Sequence, residues 1–260
     1  MANWSDLGPR VGSAAVMSVL GIGAIWLGGN IFLGLVLIVT ALMAWEIFEM
    51  CEMQPERGRV SMPVAVSCVL FLCLFSAGTI SWLAVLASVV LVVGCGFALT
   101  KERIYGALVL FAVFWVGFGL VAFREEQGLD MLLWLILVVI ASDVMGYFAG
   151  KTFGGPKFWP SISPKKTWSG TAVGWIGAAL VGLGFVIWNG SPLGLILLSV
   201  LVAFAGQMGD IVESALKRKT GVKDSSNLIP GHGGVLDRFD AISGAVIFLL
   251  ALSLVIQVSV

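Results

Sequence analysis

The run from Ser214 to Asp240, SALKRKTGVKDSSNLIPGHGGVLDRFD, holds eight charged side chains and the only histidine of the chain. Thirty consecutive residues upstream pass without one charge, so this density marks a segment that works with water and ions. Lys217, Arg218, Lys219, Lys223 and Arg238 are cations suited to phosphate oxygens. Asp210, Asp224, Asp237 and Asp240 are hard oxygen donors of the kind that hold Mg²⁺, an ion often shared between carboxylates and substrate phosphates. Gly231, Gly233 and Gly234 surround His232 after Pro230. They permit a tight turn with exposed N–H groups, which suits an anion. His232 fits phosphate contact or positioning about as well as proton transfer. The chemistry this set can do is metal-dependent phosphate chemistry at a membrane surface.

Two further groups join it. Gln207, Asp210, Ser214 and Lys217 recur at helical spacing with Glu213 beside them, so they form one polar stripe on an emerging helix. Asp210 at the end of that helix and Asp237 at the entry to the next are the expected metal-binding pair. Upstream, Asp143 interrupts an apolar segment about 9 Å from its polar end at 1.5 Å per residue. A carboxylate there is costly unless it is paired, protonated or facing a wet cavity, which makes it a functional candidate. The following loop, GKTFGGPKFWPSISPKKTWSG, carries three prolines and the tandem Lys165 and Lys166 beside Ser163. It reads as a phosphate-binding loop. It is not a Walker A loop: Met145 stands where the first glycine belongs, and no strand precedes Gly150–Thr152.

The elements that must position these residues are membrane helices. Of 260 residues, 59% are hydrophobic and only 12% charged, against about 25% charged in a soluble domain. Apolar segments of about 20 residues cross a bilayer. Nine are expected, at about 11–28, 31–48, 62–77, 80–99, 104–123, 130–149, 171–188, 191–210 and 241–258. The expected fold is all-α: one polytopic membrane domain over 1–260, few exposed strands, two polar cytoplasmic loops at 150–170 and 211–240, and the catalytic half at about 140–240. With these spans, 14 of the 15 basic residues fall on one side, Arg124 being the exception. That asymmetry puts the N-terminus and both long loops in the cytoplasm and the C-terminus outside. The N-terminal segment reads as a retained first helix. Cys51, Cys68, Cys73 and Cys95 have no CxxC spacing and read as apolar helix residues. The aromatic residues read as core, lipid-facing or belt residues, so no nucleic-acid platform is expected.

Ser214-x-x-Lys217-Arg218, then Lys223-Asp224, then Leu228 through Asp240 (LIPGHGGVLDRFD) closely resembles the signature of the CDP-diacylglycerol synthase, or phosphatidate cytidylyltransferase, family. Ser163-Pro164-Lys165-Lys166-Thr167 and Asp143 with Tyr147 and Gly150 resemble that family's upstream motif. The resemblance spans residues 140–240. It implies an inner-membrane enzyme, commonly dimeric, with a cytoplasm-facing cavity that joins CTP and phosphatidate into CDP-diacylglycerol and pyrophosphate. It also implies Mg²⁺ held by Asp210 and Asp237, and leaves open whether a second cation takes part. Lys223, Asp224, His232 and Arg238 are then catalytic candidates alongside those two acids. Asp143, Ser163, Lys165, Lys166, Ser214, Lys217, Arg218, Gly233 and Gly234 are substrate-binding candidates. A CTP-dependent polyprenol kinase shares the metal and nucleotide logic but leaves CDP. An ion-coupled transporter is disfavoured by the lack of repeated halves.

Overall fold

The computed structural model describes residues 7–51 and 101–256, with scattered residues between 86 and 99. Among the described residues the long helices are α1 (Leu7–Leu27), α2 (Gly29–Cys51), α3 (Arg103–Phe153), α4 (Trp168–Asn189), α5 (Gly194–Thr220) and α6 (Leu236–Ile256). Five of them, α2 to α6, are long and apolar enough to cross a membrane. The helix breaks inside the 51-residue α3 at Gly128, whose φ of 81° is open to glycine at little cost. The segments on either side, 103–127 and 129–153, are each about 37 Å long at 1.5 Å per residue, enough for one crossing apiece. Arg124, Glu125 and Glu126 lie at that break, matching the polar connection expected between 104–123 and 130–149.

The chain is therefore a mostly helical membrane protein. The expected spans at 62–77 and most of 80–99 lie outside the described residues, as do Cys68, Cys73, Cys95, Arg57 and Arg59. Two boundaries shift. α5 runs on to Thr220, ten residues past the expected end at 210, and α6 begins at Leu236 rather than 241. Both shifts bring signature residues onto helices. Lys217, Arg218 and Lys219 occupy the last turn of α5, where cations offset the helix dipole. Asp237 occupies the first turn of α6.

The loop at 150–170 contains a small antiparallel hairpin, β1 (Lys157–Trp159) and β2 (Ser163–Thr167). Pro156, Pro160 and Pro164 are incompatible with helix interior, so the segment folds as extended chain. Phe158 packs against Trp168 with ring centroids 4.6 Å apart and the rings tilted by 54°. Thr167 then caps α4, its hydroxyl accepting from Gly170 N–H at 3.2 Å.

The chain divides into two compact units. The first comprises Met1–Val121 with Leu216–Arg238, the second Ala122–Ala215 with Phe239–Val260. In the first, α1 packs on α2, whose buried side includes Phe32, Val36, Met43, Ile47 and Phe48. In the second, Trp134 is fully buried and donates to Ser199 Oγ at 2.8 Å. Large apolar side chains such as Val19, Ile104, Ile176 and Leu197 stand exposed, as expected for helix faces bathed in lipid.

Candidate active site

In the second unit, small residues set the geometry. A Cβ on Gly209 would strike the backbone of Asp240 and Gly244, and one on Gly244 would strike Ala205 and Gly209. α5 and α6 therefore touch backbone to backbone, the usual use of glycine between membrane helices. That contact brings Asp210 of α5 beside Asp240 of α6. The carboxylate oxygens of Asp210, Glu213 and Asp240 lie within 4.8 Å of one another. Glu213 is buried, at 3% exposure. Asp240 Oδ1 accepts from Ala241 N–H at 2.8 Å.

A second close approach serves the other side of the group. A Cβ on Gly146 would come within 3.0 Å of Gly170 O, so α3 and α4 also meet closely. Buried Gln207 ties the helices together. Its amide donates to Ser142 Oγ of α3 at 3.1 Å and to Thr171 O of α4 at 3.4 Å, and its carbonyl accepts from Trp175 Nε1 at 3.0 Å.

The hairpin delivers the cation. Successive strand residues point to opposite faces, so Lys165 is exposed while Lys166 turns inward. Lys166 Nζ donates to Asp210 Oδ2 at 2.8 Å and to Gln207 O at 3.1 Å. Ser214 donates to Asp210 Oδ1 at 3.2 Å. Asp143 is within electrostatic reach of both Lys166 and Asp210. Ser163 opens β2 in register with Trp159.

The first unit holds the other signature residues in a different manner. Asp237 Oδ1 accepts from Lys217 Nζ at 2.6 Å, and both side chains are largely buried. Asp237 Oδ2 accepts from Ser225 N at 2.9 Å, Ser225 Oγ at 3.0 Å and Gly234 N at 2.8 Å. The stripe read along α5 thus divides: Gln207, Asp210 and Ser214 serve the second unit, and Lys217 serves Asp237 in the first.

The glycine segment is a closed backbone turn. Ile229 N donates to Gly233 O at 2.8 Å and His232 N to Ile229 O at 2.9 Å, with Gly233 at φ 86°. Arg238 Nε and Nη2 both donate to His232 O, at 3.0 and 2.6 Å. His232 Nδ1 lies 2.9 Å from Ser13 Oγ, which donates to Pro230 O at 3.0 Å. Gly234 is glycine for want of space: a Cβ there would meet Ser225 and Glu46. Its N–H, expected to be open to an anion, is engaged by Asp237. Arg218 donates to Val222 O at 3.2 Å, and Lys223 and Asp224 are exposed.

One residue escaped the sequence reading. Glu46 of α2 is fully buried and accepts from Ser225 Oγ at 3.0 Å, Ser226 Oγ at 2.6 Å, Val235 N at 2.8 Å and Leu236 N at 2.7 Å. The signal was present, since a carboxylate inside an apolar span is costly without partners. That rule singled out Asp143 and applies equally to Glu46.

The second unit's three crowded carboxylates repel. Two unit charges 4.8 Å apart cost about 3 kcal/mol at an effective dielectric of 20. Such a group calls for a cation, and an all-oxygen donor set fits a hard divalent ion.

A sequence model of the cytidylyltransferase family matches residues 9–256. A protein of Brucella abortus named phosphatidate cytidylyltransferase is 33% identical over 254 residues, covering 93% of this chain and 91% of that protein. Proteins of the same name from Haemophilus influenzae and Staphylococcus haemolyticus are 43% and 42% identical over 129 and 140 residues. Those two matches cover 47% and 52% of this chain and 45% and 54% of the relatives, so there the chain spans about half their length.

Proposed function

The chain belongs to the cytidylyltransferase family, and on that premise we propose that it is a nucleotidyltransferase that transfers the cytidylyl group of CTP to phosphatidate. A phosphate oxygen of phosphatidate attacks the α-phosphorus of CTP. The bond to the bridging oxygen breaks, pyrophosphate leaves with that electron pair, and CDP-diacylglycerol remains. The observation that carries this reading is the near-full-length similarity to a protein named for that activity.

The lipid phosphate is already anionic near neutral pH, so the reaction needs little help from a base. Its barrier is the approach of one anion to another, which positive groups placed in advance relieve. Lys166 is suited to that task because the hairpin turns its ammonium into the acidic group. Asp210 and Ser214 hold the lysine and the first turn of the polar stripe in register. Asp210, Glu213 and Asp240 are the residues that would hold Mg²⁺. When bound, the cation offsets the triphosphate charge and that of the departing pyrophosphate. Asp143 shapes the electrostatics around Lys166 from α3. The signature cations Arg218, Lys223 and Arg238 lie at exposed positions, suited to drawing in CTP. Lys165, exposed on the same strand, suits the lipid headgroup surface.

The orientation follows the basic residues: the hairpin and the 221–235 loop face the cytoplasm, where CTP is, in an inner membrane that supplies phosphatidate. The acyl chains then stay among lipid while the headgroup reaches the polar ends of the helices.

The test is the purified protein in detergent with labelled CTP, phosphatidate and Mg²⁺. Labelled CDP-diacylglycerol with released pyrophosphate is expected, and excess EDTA should abolish turnover. Release of CDP would move the assignment to a lipid kinase.

A further inference from the structure

We propose that Glu46 is a positioning residue for the reaction, an acid on α2 that clamps the signature loop so that Asp237 is held in one orientation; the inference rests on the cytidylyl-transfer reading above. Glu46 is 179 to 190 positions from the residues it holds, and its two oxygens take four donors, two each. Oε1 accepts from Ser226 Oγ and Val235 N, and Oε2 from Ser225 Oγ and Leu236 N. Val235 N and Leu236 N stand at the start of α6, where N–H groups have no carbonyl of their own helix to reach. A carboxylate satisfies them and offsets the positive end of the helix dipole.

The clamp reaches Asp237 through one hydroxyl. Ser225 Oγ lies 3.0 Å from Glu46 Oε2 and 3.0 Å from Asp237 Oδ2. Its single proton serves one acid at a time. The Ser225 N–H meanwhile stays on Asp237 at 2.9 Å. Moving Ser225 therefore moves the carboxylate it supports. Gly234 leaves no slack, because a Cβ there would collide with both Ser225 and Glu46. Four hydrogen bonds to Glu46 and four to Asp237, with the Ser225 hydroxyl shared between them, thus tie residues 225, 226 and 234–237 to α2 and to one another.

Glu46→Gln tests the idea because it keeps the size while replacing one oxygen by an NH₂ group. That group faces donors, and two hydrogen bonds are lost. The full-length protein in detergent is assayed for turnover with CTP and phosphatidate, and for amide hydrogen exchange in the 225–236 segment. Expected is a kcat lowered about 100-fold, the scale of a misplaced reacting group. The KM for CTP should stay within about twofold, since only orientation is altered. Exchange should rise at 225–236 but not in α4. Adding Ser225→Ala to Glu46→Gln should cost less than the product of the two single losses, because both act through one support. A Glu46→Gln protein with kcat within about twofold of the parent overturns the proposal, whatever its melting temperature. So do fully multiplicative losses in the double variant, or unchanged exchange at 225–236. If the parent itself makes no CDP-diacylglycerol, the reading of function fails instead, and the exchange measurement alone decides whether Glu46 clamps the loop.

Discussion

The two units handle clustered acids in opposite ways. In the first, Glu46 and Asp237 are surrounded by donors: four around one, and an ammonium plus three around the other, with the Ser225 hydroxyl shared between them. In the second, Asp210, Glu213 and Asp240 crowd against one another, with Lys166 and Ser214 meeting Asp210. A carboxylate surrounded by donors has its orientation fixed by the protein and suits holding a backbone in place. Carboxylates gathered against their own repulsion suit a cation brought in from outside. The same residue type thus holds the signature loop in place in one unit and gathers charge for a cation in the other, and the surrounding donors make the difference.

The comparison can be broken by substitutions in either unit. The largest effect is expected at Asp210. Asp210→Asn removes one charge of the acidic group at nearly constant shape, and should lower kcat/KM for CTP about 1,000-fold, a loss on the scale of removing a main electrostatic contact. Membrane insertion should be unaffected. Near-parental turnover would remove the acidic group from the reaction. Asp237→Asn combined with it then tests whether the two acids serve one cation, as the sequence suggested: shared service makes the double variant no worse than the weaker single one.

A different failure is expected in the first unit. Lys217→Met leaves Asp237 buried beside an apolar side chain, and losing one partner of such a pair costs about 3 kcal/mol. Thermal unfolding of the detergent-solubilised protein should shift down markedly. An unchanged melting curve would show that the Lys217–Asp237 pair does not hold the fold. Smaller again is Lys166→Ala, expected to raise the KM for phosphatidate or CTP about tenfold, the worth of roughly one charged hydrogen bond. Lys165→Ala should do less, since that side chain points away. Equal effects of the two lysines would mean that the strand's alternation does not select between them. The mildest perturbation reads orientation. A cysteine at Ser161, in a background without native cysteines, should resist an impermeant thiol reagent in intact cells, while one at Ser191 should react. The reverse pattern would invert the topology.

Much of the site was legible because its signals are local. Asp143 and Asp210 are charged within or at the end of apolar spans, Lys166 belongs to a tandem pair in a proline-rich polar loop, and three of the signature's glycines announce a turn. The hairpin was hidden: its strands are three and five residues long, and prolines reveal only that a helix is excluded. The polar stripe through Lys217 signalled that α5 continues past its span, but the early start of α6 was missed, because charged residues on a helix beyond the membrane edge read as loop. Glu46 was passed over because its partners lie 179 to 190 positions away.

The sequence by itself determined that the chain lives in a membrane, where its charges gather, and what chemistry those charges can perform. Those conclusions depend on composition and on spacing within single segments. Only the tertiary structure decided which acids stand together and which are already satisfied. Asp210 meets Asp240 because Gly209 and Gly244 let two helices touch, and Lys166 rather than Lys165 faces inward because a strand alternates its side chains. Asp237 is held where it is by Glu46, Ser225 and Lys217. Each of these pairings depends on contacts between distant segments, and a hydrogen bond carries no trace of its partner in the residues next to it.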